Sequence, residues 1–145
     1  MAIPARLELD FLLPNEEPTA KWRGIVLLVD DESTIMRGYA RNLVVLGYTV
    51  EVANDGTAAA ALVRERQFDV IVSDISMPGM SGLELQSLLR AQGRELPIIF
   101  ITAFPEETAR KRALDAGAVC FLIKPFDGPT LIKYLDKALQ RDGRK

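Results

Sequence analysis

Polar residues whose side chains could take part in a reaction lie at the ends of four apolar runs of this chain. They are three acids, one hydroxyl and one lysine: Asp30, Asp31, Asp74, Thr102 and Lys124. If the runs are strands of a parallel sheet, their carboxyl ends share one edge, which is where open α/β sheets bind ligands. We therefore expect these side chains to converge in one crevice.

The residue types in this cluster favour phosphoryl chemistry. Clustered carboxylates repel one another and resist ionisation unless a cation balances them. The chain has no histidine, and oxygen ligands without imidazole indicate Mg²⁺ or a similar hard ion. A lysine and a hydroxyl opposite the metal would hold an anion such as a phosphoryl group. A carboxylate at the centre could itself be the nucleophile and form an aspartyl phosphate.

Each residue also has a structural interpretation. Asp30 and Asp31 could cap a helix, Asp74 could form a turn, Thr102 could be a strand residue and Lys124 a surface lysine. Taken singly, these interpretations are as good as the functional ones. Their joint position at one predicted sheet edge favours a shared site.

Five apolar runs are the candidate strands: 25–29, 48–53, 70–72, 98–101 and 119–123. Four are nearly continuous in branched and aromatic residues, which is typical of parallel strands buried on both faces. In the second, Thr49 and Glu51 alternate with valines. That alternation predicts a half-exposed strand at the sheet edge.

Helical patterns separate the runs, so strand and helix alternate five times. Ala58, Ala61 and Leu62 mark the second helix, Ser81 and Glu84 form a capping-box pattern at the start of the third, and Asp127 precedes the last. Right-handed crossovers then give an α/β fold, a doubly wound parallel sheet with helices on both faces.

Composition and charge limit the classes of protein to which this chain can belong. The chain has 145 residues, 48% hydrophobic and 26% charged, which suits one globular domain. A net charge of −2 argues against a nucleic-acid partner, and the basic run 110–112 is interpreted as a solvated helix face. The single cysteine, Cys120, lies in an apolar run and is interpreted as a core residue.

No apolar stretch approaches the ~20 residues of a membrane span, and the N-terminal residues lack the pattern of a secretory signal. We therefore expect no membrane partner and a cytoplasmic location. The predicted domain occupies residues 24–142, with an N-terminal extension or linker at 1–23 and a C-terminal tail at 143–145.

Four motifs resemble those of the receiver domain of response regulators in two-component signalling. They are Leu-Val-Asp-Asp-Glu at 28–32, Val-Ser-Asp-Ile-Ser-Met-Pro-Gly-Met-Ser-Gly at 72–82, Ile-Thr-Ala at 101–103 and Lys-Pro-Phe at 124–126. The resemblance covers residues 24–142 and implies a flavodoxin-like five-stranded sheet of order 2-1-3-4-5.

The resemblance also implies a role for each site residue. Asp74 matches the phosphoacceptor, and Lys124 matches the ammonium that pairs with the phosphoryl group. Asp31 matches a direct Mg²⁺ ligand, Asp30 an acid acting through a metal-bound water, and Ser76 the position whose backbone carbonyl completes the metal shell.

Further positions match the switching parts of the family. Thr102 matches the hydroxyl that turns toward the phosphoryl group, and Phe121 the aromatic coupled to it, although Phe121 also suits an ordinary core position. Pro125 resembles the family's cis proline. Ser76 and Phe104 occupy positions thought to tune the lifetime of the phosphoryl group.

As a receiver, the chain would accept phosphate from a sensor histidine kinase or a histidine phosphotransfer protein and switch a protein-binding surface. It could form a homodimer through its fourth helix, fifth strand and fifth helix. Residues 6–14 resemble the last strand of a histidine-kinase ATP-binding domain, which suggests the C-terminal receiver of a hybrid kinase. A free extension of a single-domain regulator is the alternative.

Two other classes of protein are the alternatives. A Mg²⁺-dependent phosphatase or phosphotransferase with an aspartate nucleophile would need a second acid two residues after Asp74, where Ser76 stands. A flavodoxin-like electron carrier would need a phosphate-binding loop after the first strand, where the acids stand instead. Both fit less well than the switch.

Overall fold

The computed structural model describes residues 22–141, and it contains five strands and five helices. The strands are β1 (Gly24–Val29), β2 (Tyr48–Ala53), β3 (Val70–Asp74), β4 (Ile98–Thr102) and β5 (Cys120–Ile123). The helices are α1 (Ser33–Val45), α2 (Gly56–Glu65), α3 (Gly82–Ala91), α4 (Glu107–Asp115) and α5 (Gly128–Arg141).

All strand pairs are parallel, and the sheet order is β2-β1-β3-β4-β5. The predicted fold and strand order are therefore confirmed. Helices α1 and α5 cover one face of the sheet around Leu43 and Leu135. Helices α2, α3 and α4 cover the other face around Val63, Leu85 and Ala113. The two covered faces explain the continuous apolar runs of β1, β3 and β4.

Strand β2 lies at an edge of the sheet, as its alternating pattern predicted. The expected exposure of Glu51 is wrong, because Glu51 is buried. Its carboxylate forms an ion pair with Arg66, which follows α2. Burial raises the pKa of Glu51 above its ordinary value, and the charge of Arg66 acts in the opposite direction. A paired acid can occupy a buried position that its residue type alone would place in solvent.

Helices α3 and α5 begin where their caps predict. Ser81 and Glu84 form the complete capping box at the start of α3, and Asp127 accepts from the Thr130 N–H at 2.8 Å. Helix α2 forms where Ala58, Ala61 and Leu62 mark it, and its buried residues are Gly56, Ala59, Ala60 and Val63. Because four alanines follow one another, the sequence alone does not show which side of this helix faces the core.

Cys120 is buried, and burial raises the pKa of its thiol to about 11. The prediction of an inert core cysteine agrees with this environment. None of the helices between residues 22 and 141 combines the length and apolar character that a bilayer span requires. Residues 6–14, for which a kinase resemblance was drawn, and the predicted tail at 143–145 lie outside the described part of the chain. That resemblance and the predicted domain bounds stay predictions.

Candidate functional site

The predicted polar cluster lies at the carboxyl edge of the sheet. Asp74 is the last residue of β3 and Thr102 the last of β4. Asp30 directly follows β1, and Lys124 directly follows β5. Asp30, Asp31 and Asp74 each offer a carboxylate oxygen, and these oxygens lie within 4.8 Å of one another. The parallel sheet thus brings together residues from four separate parts of the sequence.

Lys124 provides the positive charge of this cluster. Its Nζ donates to Asp30 Oδ2 at 2.9 Å, to Asp74 Oδ2 at 3.2 Å and to Glu32 Oε1 at 3.4 Å. Burial alone would lower the pKa of Lys124, but the hydrogen bonds to and charges of Asp30 and Asp74 outweigh it, so that its pKa is raised. Lys124 therefore stays protonated at any physiological pH.

Asp74 is the central carboxylate, and only 6% of the residue is exposed. Its Oδ2 faces Lys124, and its Oδ1 accepts from the Ser76 N–H at 3.1 Å. Burial raises the pKa of Asp74, the charge of Asp30 raises it further, and Lys124 acts to lower it. The Asp74 carboxylate is therefore ionised against a net cost, which an additional cation would relieve.

The other two acids differ in environment. Asp30 is buried, and its Oδ1 accepts from the Glu32 N–H at 2.9 Å. Asp31 is exposed, so one acid of the cluster faces solvent. A set of carboxylate oxygens that is partly open to water matches the ligands of Mg²⁺, which keeps several waters when bound. The donor set at this edge therefore fits a magnesium ion.

Thr102 is buried beside the cluster, and its Oγ1 accepts from the Phe104 N–H at 3.0 Å. Phe104 itself is 78% exposed, and the Ser76 side chain is also exposed. Phe121 is half-buried and packs against the core on the α2–α4 face of the sheet. Thr102 thus lies at the crevice and Phe121 one strand away on β5, where Phe121 pairs with Phe100.

Two contributors to the site were not predicted. Glu32 reaches Lys124 with an exposed carboxylate, and its position directly after Asp31 was the available signal. Tyr39 stacks on Phe126 with 5.0 Å between ring centroids and 8° between the ring planes. Burial raises the pKa of Tyr39, while the nearby charges of Lys124 and Asp30 act in opposite directions. No motif linked Tyr39 to the lysine loop. The Lys124–Pro125 peptide is cis, as expected.

The arrangement can present a carboxylate nucleophile next to a fixed ammonium. A phosphatase of the aspartate-nucleophile class needs a second acid two residues after its nucleophile. In this chain Ser76 stands at that position. The group at that position that contacts Asp74 is the Ser76 backbone N–H, which cannot accept a proton. The geometry therefore favours phosphoryl acceptance over hydrolysis of a small metabolite.

Comparisons with known proteins agree with this geometry. Residues 26–136 match the family described as the response regulator receiver domain. Response regulator MprA of Mycobacterium leprae is 39% identical over 116 residues, which are 80% of this chain and 51% of MprA. Among solved structures, the receiver domain of the Francisella response regulator 1452 is 30% identical with a TM-score of 0.78, covering 83% of this chain and 99% of that one.

The chemotaxis protein CheY4 of Vibrio cholerae is similar in structure as well, with a TM-score of 0.75 and 36% identity over 83% of this chain and all of CheY4. The chain spans about half the length of the curated relatives it matches. The family match covers most of the described residues and all of the site. The chain therefore belongs to the response regulator receiver domain family, whose members are signalling switches.

Proposed function

We propose that Asp74 accepts a phosphoryl group from a phosphohistidine and that phosphorylation changes a protein-binding surface of this domain. The observation that carries the proposal is the contact of Asp74 Oδ2 with Lys124 Nζ at 3.2 Å, at a sheet edge that also holds Asp30 and Asp31. A carboxylate so placed can attack phosphorus, with a fixed cation beside it for the charge of the transferred group.

The residues of the chain divide the work of this transfer. Asp74 Oδ1 is held by the Ser76 N–H, which leaves the carboxylate oriented by two donors. Lys124 pairs with both Asp30 and Asp74 before transfer, and we propose that its ammonium then pairs with the phosphoryl oxygens. Preorganised charge of this kind costs no rearrangement at the moment of reaction.

A magnesium ion would be held by the carboxylates of Asp31 and Asp74, by Asp30 through water, and by the backbone carbonyl of Ser76. When bound, the ion would balance the part of the negative charge on the phosphoryl oxygens that the ammonium alone does not balance. The acidic cluster supports this assignment, as does the net cost of ionising Asp74.

We propose Thr102 and Phe121 as the switch. The Thr102 hydroxyl could exchange its contact with the Phe104 N–H for one with a phosphoryl oxygen. Phe121 is half-buried on the neighbouring strand, so a movement of β4 would change its packing. Next to it, Ile123 is 53% exposed at the end of β5. The exposed end of β5, together with α4 and α5, is our candidate for a phosphorylation-dependent homodimer contact.

The phosphoryl donor would be a sensor histidine kinase or a histidine phosphotransfer protein, and we place the domain in the cytoplasm, where receiver domains typically act. We further propose that residues 24–142 form the receiver and that residues 1–23 link it to a kinase ATP-binding domain, as in a hybrid kinase. Sequencing the coding region upstream of Met1 tests the linkage, and a gene that starts at Met1 contradicts it.

Incubation with acetyl phosphate and Mg²⁺, followed by intact-mass measurement, tests the transfer. The wild-type protein should gain one phosphoryl group in the presence of Mg²⁺ and remain unmodified when the metal is chelated. Asp74→Asn should remain unmodified under both conditions. Equal modification of wild type and Asp74→Asn would overturn the assignment of Asp74.

A further inference from the structure

The peptide bond that joins Asp74 to Ile75 is enclosed by its neighbours. The Ser73 side chain is fully buried, and its hydroxyl donates to the Asp74 carbonyl oxygen at 2.9 Å. The Ile75 N–H donates across the sheet to Ile101 at 3.0 Å, and the Ile75 carbonyl accepts from the Gly82 N–H at 2.9 Å. Both polar groups of this peptide, and the carbonyl of the next one, are therefore bonded to other parts of the fold.

Gly82, the first residue of α3, closes the remaining side. A Cβ at this position would lie 2.3 Å from the Asp74 carbonyl oxygen and 3.1 Å from Ile75 Cα, far inside van der Waals contact with backbone atoms that cannot swing away. Gly82 is absent from the glycines with positive φ, so its backbone suits other residues too. Glycine is required at this position by space alone.

We propose that Gly82 and Ser73 are positioning residues for phosphoryl transfer, because they fix the peptide from which the Asp74 carboxylate projects. This inference rests on the proposed function. Among the described residues, the Asp74 carboxylate accepts hydrogen bonds from two groups, the Ser76 N–H and Lys124 Nζ. Displacing the Asp74 peptide therefore shifts the carboxylate relative to both.

Gly82→Ala tests the proposal. The methyl group must move either the first turn of α3 or the Asp74 peptide, and a displacement of about 1 Å at a reacting group can slow a reaction by roughly 100-fold. We expect phosphorylation by acetyl phosphate, corrected for the folded fraction, to slow by at least ~10-fold. The Ser76 amide resonance should also shift, since its N–H reports the carboxylate position without any phosphoryl transfer.

Ser73→Ala serves as a second variant if Gly82→Ala folds poorly. It removes only the hydroxyl that holds the Asp74 carbonyl, so the domain should fold, phosphorylate more slowly per folded molecule and show a smaller shift of the Ser76 amide. A folded Ser73→Ala protein with the wild-type rate and an unmoved Ser76 amide removes Ser73 from the proposal.

Two alanine variants act as controls. Gly38→Ala adds a methyl group with no atom within 4 Å outside its own helix backbone and chain neighbours, and Gly56→Ala adds one whose three nearest atoms all belong to Met80, the carbonyl oxygen at 2.8 Å among them. Both should phosphorylate at the wild-type rate per folded molecule. An unchanged rate in Gly82→Ala, or an equal loss in Gly56→Ala, would overturn the positioning role. If wild type itself takes up no phosphate, the proposed function fails, and the Ser76 amide still decides the positioning.

Discussion

Lys124 Nζ lies 2.9 Å from Asp30 Oδ2, although the two residues are 94 positions apart in the chain. They follow β5 and β1, which are separated in the sheet by β3 and β4. At about 4.8 Å between neighbouring strands, the lysine reaches across the ends of both. The residues it crosses are Asp74 and Thr102, so this single contact spans the whole candidate site.

Replacing Lys124 tests how much the site depends on that charge. Lys124→Met leaves Asp30 and Asp74 buried without their ammonium partner, which should lower the free energy of unfolding by about 3 kcal/mol. The raised pKa of Lys124 means that its contribution is fully present below the ordinary value of 10.5 and is lost only as the pH rises through the higher folded-state pKa. Urea denaturation at neutral pH without Mg²⁺ therefore measures the full effect.

The matched control is Lys111→Met. Lys111 pairs with Asp115 at 3.3 Å, but both side chains are largely exposed. An exposed pair contributes about 0.5 kcal/mol, so the control should stay close to wild type. Similar losses in the two variants would mean that the buried ion cluster adds no special stability.

The strand pattern and the motifs were sufficient to predict the sheet order and the convergence of Asp30, Asp74 and Lys124, because parallel strands place their carboxyl ends at one edge. They failed at Glu51, whose burial depends on Arg66, a partner fifteen positions away that no local pattern reveals. They also missed Tyr39, since its stack on Phe126 is set by how α1 and the loop after β5 pack.

Asp74→Asn should make the unmodified domain more stable at neutral pH. The folded-state pKa of Asp74 is raised, first by burial and then by Asp30, so the folded state binds more protons than the unfolded state between the ordinary pKa and the raised one. Stability therefore falls as the pH rises through that window, and the ionised carboxylate is a net cost above it. The neutral amide avoids this cost.

Thermal unfolding as a function of pH checks the sign. The melting temperature of Asp74→Asn should exceed that of wild type at pH 7. The difference should shrink as the pH falls through the raised pKa of Asp74, and it should be gone below the ordinary aspartate value of 3.8. A variant less stable than wild type at pH 7 would show that Lys124 dominates the energetics of Asp74.

Mg²⁺ should stabilise the folded protein through the acidic cluster. Binding to the native state alone at tenfold excess over the dissociation constant adds about 1.4 kcal/mol, or a few degrees in melting temperature. Asp31→Asn should abolish this shift at little structural cost, because Asp31 is exposed. Asp115→Asn, an exposed acid on α4, should keep it. A shift of equal size in all three proteins would indicate nonspecific binding.

Substitutions at Phe104 test what sets the lifetime of the phosphorylated state. With 78% of the residue exposed, Phe104 can be replaced without opening the core. It cannot orient a water by hydrogen bonding, whereas a carboxylate can assist attack on phosphorus. Phe104→Glu should therefore dephosphorylate faster than wild type after the donor is removed. A control, Phe104→Leu, keeps an apolar side chain and should decay like wild type. Unchanged or slower decay in Phe104→Glu would refute the role of Phe104 in setting the phosphoryl lifetime.

The account depends most on the identity of the acceptor. Borohydride reduces an acyl phosphate to an alcohol, so an aspartyl phosphate becomes homoserine at the modified position. Protein phosphorylated with Mg²⁺ present should be reduced, digested and mapped by mass spectrometry, with unphosphorylated protein treated in parallel. We predict homoserine at position 74 in the phosphorylated sample alone. Homoserine at Asp30 or Asp31, or at no aspartate, would contradict the account.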